Sequence, residues 1–524
     1  MTEAVPGRSP ALEVPPEVPS TPFSTASARR ALAVALGVAL GAFFFERLSQ
    51  NFFDPDGYHQ MALFREWLRT GSLPIRDSFA FTHTVVPAVQ HEWGAGAVLY
   101  ALATAFGAPG IMLARWLLSA AVALVAASTA LRRAPAVVVA FCAPIAILLG
   151  QVAFTTIRAG LYTMLGIAIL LAAIDRDRDD PRARRFCLIY LPVVAVWINL
   201  HAGWVVGVGA VALHALEQAV RRRPVRHLLV ALAATPFLMA ATPYGRNYFT
   251  GWWRSITFPR DQIGEWAPLF RSSYVIGLAA FGFALLFVLY ALARRGPRAL
   301  SGLPFVLVAA LAAWRHERHV ALFALAWFCA VPGYLAATPL GALLDDWSAR
   351  PLGRRLLIVT SVAAAVGFLA VAVARQPFRL RIPAQGSDLA TEAVVYPAGA
   401  VDYLRDTKFR GRVVTSFLNG GFVIWKLHPA VRVSFDGRYE VAYAPEVLGE
   451  DRTIHKAGDG WREILARYQP DAILVRRDEP LAAALPDRLD LGRVYRDDAY
   501  EVWARPTLGL PITTRTGPIA TSFP

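Results

Sequence analysis

Six short arginine-rich clusters punctuate the apolar sequence: Arg29-Arg30, Arg132-Arg133, the run 175–185, the run 221–226, Arg294-Arg295 with Arg298, and Arg350 with Arg354-Arg355. A helix needs about 20 apolar residues to cross hydrocarbon, and short Lys/Arg-rich loops stay cytoplasmic. Placing all six clusters on one side demands an even number of crossings between each neighbouring pair. Runs at 31–48, 110–131, 135–151, 157–174, 186–200, 203–219, 227–242, 274–293, 299–313, 319–339 and 356–374 satisfy that parity. They predict eleven transmembrane helices with the N-terminus cytoplasmic. The apolar segment 93–107 would break the parity if it crossed, so it is assigned to an interfacial helix in the membrane plane.

Composition agrees, because 524 residues at 56% hydrophobic and 17% charged do not suit a soluble protein. The formal net charge of +15 is spread over separate loops rather than gathered in one tract, which argues against nucleic acid as a partner. Cys142, Cys187 and Cys329 all lie in apolar segments, so neither a disulfide framework nor a cysteine metal site is readable.

The chain divides by composition. Residues 1–28, rich in Pro, Ser, Thr and Ala, read as a disordered cytoplasmic tail. Residues 29–374 form the membrane domain, with a long first external loop at 49–109. An odd number of crossings places 375–506 outside, as a small extracytoplasmic α/β domain. Its strands are expected at 413–417, 431–435 and 472–475 and its helices near 398–406 and 460–468. Asn419-Gly420-Gly421 and Asp436-Gly437-Arg438 read as tight turns, and 507–524 as a flexible tail. The expected location is the bacterial inner (plasma) membrane.

With this topology, ionisable residues that interrupt apolar sequence gather on the outer face. The first loop supplies Asp54, Asp56, His59, Arg76, Asp77, His83, His91 and Glu92; later loops supply Arg158, His201, Tyr244, Glu265, Arg315 and Arg318. Such groups near a membrane are costly and mark function by their convergence. Each has a plainer duty as well. Asp54 and Asp56 suit solvation of a helix exit, His201 suits packing, and Arg315 and Arg318, three apart on one face of a helical segment, suit headgroup anchoring.

Acids and arginines together suit sugar transfer from a polyprenyl-phosphate carrier. A carboxylate removes the acceptor hydroxyl proton, and cations stabilise the departing lipid phosphate. Direct displacement inverts the anomeric centre. Asp54, Asp56, His59 and Glu92 are the candidate catalytic residues. Arg76, Asp77, His91, Arg158, His201, Tyr244, Glu265, Arg315 and Arg318 are the candidate substrate or phosphate contacts. A divalent cation, Mg or Mn, has Asp54, Asp56 and Glu265 as candidate oxygen ligands. A transporter or flippase of lipid-linked glycan, and a non-catalytic glycan-binding assembly protein, remain as alternative readings.

The string Asp54-Pro55-Asp56 with Tyr58-His59, directly after the first span, resembles the integral-membrane GT-C glycosyltransferases, which include protein O-mannosyltransferases, lipid A aminoarabinose transferases and oligosaccharyltransferase catalytic subunits. Similar bacterial polytopic proteins share Arg76-Asp77-Ser78-Phe79, His91-Glu92-Trp93, Trp197 to Gly203, Thr242 to Gly245, Glu265-Trp266, Gly420-Gly421 and Asp436-Gly437-Arg438. The resemblance implies a catalytic or metal-binding acid in the first external loop, and Asp54 and Asp56 both fit that placement. It also implies a membrane lipid, a polyprenyl-phosphate-linked sugar, and a glycan, lipid or protein acceptor as partners. Where oligosaccharyltransferases carry Trp-Trp-Asp-Tyr-Gly, this chain carries Ser416 to Trp425, so peptide-sequon recognition is not implied.

Overall fold

A computed structural model of the chain describes residues 22–49, 51–258, 266–271, 274–382, 396–487, 490–517, 519 and 523. α1 (Pro22–Arg47) leads through β1 (Phe52–Phe53) into α2 (Pro55–Thr70), and α3 (Trp93–Leu131) follows the first loop. Then come α4 (Ala136–Gly150), α5 (Val152–Thr155), β2 (Thr156–Ile157), α6 (Gly160–Asp179), α7 (Ala183–Leu200), α8 (Trp204–Val220), α9 (Arg226–Ala240) and α10 (Asn247–Thr257). The helical part closes with α11 (Val275–Arg295), α12 (Leu303–Arg315), α13 (Val320–Ala336), α14 (Pro339–Ala349) and α15 (Pro351–Ala374).

Each of the eleven expected spans coincides with a helix among the described residues. Six helices are long and apolar enough to cross a membrane by length and composition, and α4, α8, α9 and α12 are shorter apolar ones. Segment 93–107 is separated from the span that follows it. Gly107 adopts φ 59°, ψ −149° inside α3, a conformation closed to other residues, and Pro109 follows. The helix initial to α1 begins at Pro22, inside the expected tail; residues 1–21 lie outside the described residues.

Side-chain pairings divide the bundle into two ends. At one end Arg132 and Arg133, closing α3, pair with Asp175 and Asp179 of α6. Close by, Arg178 and Arg221 flank Glu217 of α8, while His214 and His227 flank Asp177. Gly302, ahead of α12, donates its backbone N–H to Glu217, and the Tyr334 hydroxyl at the close of α13 donates to Ser301 O. The basic clusters therefore share one end, as parity requires. Burying so many charges is tolerable because each is paired.

The opposite end holds the chain exits. Arg115, only 1% exposed on α3, donates from Nε to Phe154 O at 2.9 Å and from Nη2 to Leu48 O at 2.8 Å, and its Nη1 bonds Asn51 Oδ1. Immediately beyond these carbonyls β1 and β2 pair in parallel, Phe52 with Thr156 and Phe53 with Ile157. Residues after α15 add a third extended segment, with Arg381 N on Asn51 O at 3.0 Å and Phe53 N on Arg381 O at 3.2 Å.

Beyond this exit lies the α/β domain: α16 (Ala398–Asp406), β3 (Gly411–Val414), α17 (Phe417–Leu427), β4 (Val431–Val433), α18 (Tyr439–Ala442), α19 (Pro445–His455), α20 (Trp461–Tyr468), β5 (Ala472–Arg476), α21 (Pro480–Ala484), β6 (Gly492–Arg496), β7 (Tyr500–Ala504) and β8 (Thr513–Thr514). The sheet runs β4-β3-β5-β7-β6-β8, with β3 parallel to β4 and β5, and β7 antiparallel to β5 and β6. The first loop continues it past the β4 edge. Phe81 N donates to Val433 O, Val433 N to Phe79 O, and Ala444 N to His83 O. One apolar core accordingly joins Phe53, Tyr58, Met61 and Phe79 to Tyr396, Phe422, Val433 and Tyr500.

Two expectations change here. Asn419-Gly420-Gly421 is not a turn but the middle of α17; its glycines allow close approach, since a Cβ on Gly420 would sit 2.0 Å from Phe435 O and one on Gly421 3.0 Å from Pro55 O. Described residues of the 507–524 segment also carry structure: β8 pairs with β6, and Phe523 packs on Phe53 with centroids 4.9 Å apart. Replacing Gly420 with Ala should lower the thermal unfolding midpoint in detergent, a loss of about 1–3 kcal/mol from overpacking. Gly449→Ala, in α19 with nothing within 4 Å of the new Cβ, should raise it slightly.

Candidate functional site

The site grows from the ends of the short strands. Asp54 is the N-cap of α2, its Oδ1 accepting the Asp56 N–H at 3.0 Å, and Pro55 occupies the first helical position, the arrangement that Asp-Pro favours. Asp54 and Arg158 directly follow β1 and β2, which run parallel in register, and the charges of both reach the Glu92 carboxyl. One turn into α2, His59 Nδ1 lies 3.9 Å from Asp56 Oδ1, and Gln60 donates its amide to Glu92 Oε2.

Glu92, directly before α3, is the centre of the arrangement. Its Oε1 is 3.4 Å from His201 Nε2 and 3.8 Å from His91 Nε2. His201 follows α7, whose preceding Asn199 accepts the Trp93 indole N–H at 3.0 Å, so α3 and α7 are tied where the two residues meet. The Gly203 N–H donates to His201 Nδ1 at 2.9 Å, and the Thr163 hydroxyl, itself accepting from Trp197, lies 2.7 Å from the same nitrogen. An accepting Nδ1 puts the ring proton on Nε2, aimed at Glu92.

Burial pushes the Glu92 carboxyl up to about 7; the charges of Glu440 and Asp54 push the same way, against the Gln60 hydrogen bond and Arg158. Burial holds the His201 imidazole well below its usual range, with His91, Arg318 and Arg158 adding to the effect. His59 is driven down to about 3, again by burial first, with Arg438 and His91 assisting and Asp436 opposing. Both rings are neutral.

The α/β domain closes over this face. Gly437 packs on α2 so closely that a Cβ would lie 2.5 Å from Asp56 Oδ1. Beside it Arg438 donates to Asp436 and to Asp77, its guanidinium 4.9 Å from the Phe79 ring. Asp77 also accepts the Phe79 and Ala80 N–H groups at 2.9 and 2.7 Å, so it joins the first loop to the domain. Burial would raise Asp436, but Arg438 beside it prevails and brings it to about 2.

The structure thus brings Asp54, Asp56, His59, His91, Glu92, Arg158, His201 and Arg318 to one face, and Asp77 to its edge. Arg76 and His83 are exposed, His83 against Glu446 at 2.8 Å. Tyr244 is buried in the helical core. The helix breaks at His316 (φ −145°, ψ 119°), so Arg315 and Arg318 do not share a helical face: Arg315 is exposed, while Arg318 lies 4.5 Å from the Trp266 ring. Glu265 lies outside the described residues. Gln60, Thr163, Arg115 and Glu440 were not singled out from the sequence. Gln60 stands next to His59 and four residues after Asp56, a signal open to a helical reading; Glu440 had none.

Among the described residues no three His, Cys, Asp or Glu side chains are grouped to hold a metal ion. Among the described residues Asp54 and Asp56 do not converge with a third ligand, and Glu265 lies outside those residues.

No family model and no curated protein sequence matches the chain. The crystal structure of ArnT from Cupriavidus metallidurans in the apo state is similar to it over 95% of this chain and 100% of that one, with a TM-score of 0.50 and 16% identity. At that identity the likeness is one of fold: this chain shares the overall architecture of that structure, a multi-pass helical membrane protein with a small C-terminal domain.

The raised Glu92 pKa has a stability consequence. Below pH 4.5 folded and unfolded chains both hold the proton; between 4.5 and 7 only the unfolded chain releases it, and above 7 the penalty on folding is constant. Glu92→Gln should therefore unfold at a higher temperature than the native chain above pH 7, a gain on the order of 1–3 kcal/mol, with the difference vanishing below pH 4.5 in a pH series of melting curves.

Proposed function

We propose that this protein is an inverting glycosyltransferase that moves a sugar from a polyprenyl-phosphate-linked donor to a glycan, lipid or protein acceptor at the outer face of the bacterial inner membrane. The observation that carries the reading is a carboxyl poised near neutral pH within reach of the Arg158 charge, with Arg158 also in the wall of an apolar cleft. The cleft is lined by Leu99, Leu102, Ile111 and Leu118 of α3 with Ile157 and Leu161, and Arg158 lies in its wall. A polyprenyl chain suits the apolar wall, and a phosphate suits the guanidinium.

In this reading ionised Glu92 takes the proton of the acceptor hydroxyl. The hydroxyl oxygen then attacks the anomeric carbon, and the bond from that carbon to the phosphate oxygen breaks. Its electron pair stays on the phosphate, where Arg158, with Arg318 nearby, offsets the growing charge. One displacement inverts the centre. Gln60 and His201 orient Glu92, Asp54 orients Arg158, and Asp56 with His59 seats the α/β domain over the acceptor. The outward orientation rests on the basic clusters, all at the far end of the bundle.

The test is turnover of polyprenyl-phosphate sugars by the purified protein in lipid. The rate should climb with pH and level off above about 7, and Glu92→Gln should lower kcat about 100-fold or more. Full glycan transfer by a stably expressed Asp54→Ala/Asp56→Ala double variant would sink the proposal.

A further inference from the structure

We infer that Arg115 is a positioning residue for the reaction, acting through the placement of Asp54 and Arg158, the residues that directly follow the paired strands β1 and β2; this rests on the transferase reading above. Arg115 itself touches no reacting atom. Its fork bonds the carbonyls of Leu48 and Phe154 and the Asn51 side chain, and all three lie within four residues of β1 or β2. Those bonds fix how far each chain has advanced when it leaves the bundle. A slip of one residue in the parallel pairing would turn Asp54 and Arg158 to opposite faces.

The strands are only two residues long and supply too few ladder bonds to hold register themselves. The guanidinium does so because its planar fork reaches two exits at once, which a lysine ammonium cannot do with the same geometry. The cleft that would take the lipid donor includes both Arg115 and Arg158 in its lining. Most of its apolar wall comes from α3 and does not depend on register, whereas the cation does. Loss of the fork should therefore affect kcat more than KM for the donor.

The experiment uses the full chain with Phe52→Cys and Thr156→Cys, register partners whose Cα atoms, about 5 Å apart as strand neighbours, fall in the range a disulfide spans. Oxidation should cross-link this pair in the Arg115 background, read by thiol alkylation and mass spectrometry. In the Arg115→Lys background cross-linking should fall several-fold, measured on the monodisperse fraction. Asn51→Ala, which removes one acceptor and leaves Arg115 in place, should give a smaller loss of the same sign and keeps the test open if Arg115→Lys does not fold.

For turnover, Arg115→Lys should lower kcat about 100-fold, the scale of an ångström misplacement, with the donor KM within about threefold. Trapping the disulfide during expression should restore kcat, and reduction should remove it again. Unchanged cross-linking in both variants would overturn the inference, as would a cross-linked Arg115→Lys protein that stays inactive. Cross-linking needs no turnover, so an inactive native chain would sink the transferase reading and leave the register result standing.

Discussion

A single buried guanidinium organises the face on which the chemistry is placed. Helix ends leave carbonyls without partners, and in a membrane protein such groups have no water nearby to serve them. Arg115 satisfies two ends, those of α1 and α5, with one side chain. The cost of burying its charge is offset by hydrogen bonds from all three of its nitrogens. Two segments distant in sequence thereby become parallel neighbours, and an acid, Asp54, and a cation, Arg158, directly follow them.

The site shows how burial alone does not set a charge state. Asp436 is buried and Glu92 largely so, yet the Glu92 carboxyl is pushed up to about 7 and that of Asp436 down to about 2. The difference is the partner. Asp436 has Arg438 against it, whereas Glu92 faces further acids, with Arg158 and one amide as its compensation. A permanently ionised acid serves as a clamp between loop and domain, and an acid balanced near neutrality suits proton transfer.

The helical layout was legible because hydrophobic length and charge placement are one-dimensional properties. Parity even separated 93–107 from the span after it, where the structure has the Gly107 kink. The core strands at β3, β4 and β5 were readable from their β-branched runs, but β6 to β8 were not, since Gly492–Arg496 and Thr513–Thr514 alternate weakly. The site was legible as an inventory of ionisable residues. Its arrangement was not, because that depends on pairings across long separations: Glu92 with His201, Asp77 with Arg438, and the reach of Glu440 toward Glu92. Arg115 escaped notice as one charge inside an apolar run, and Gly420 was assigned to turning when its real constraint is lack of room.

The edge pairing of residues 79–85 with the C-terminal sheet also bears on how the molecule is made. Thr82 bonds Ser434 O across 352 positions of sequence, so the first loop waits, at ribosomal speeds, roughly twenty seconds to a minute for its partner to emerge. Until then the acids after α1 lie on an unroofed surface. The roof can close only after Ser434 and the strands around it have been made, and competence is thereby reserved for molecules translated past that point.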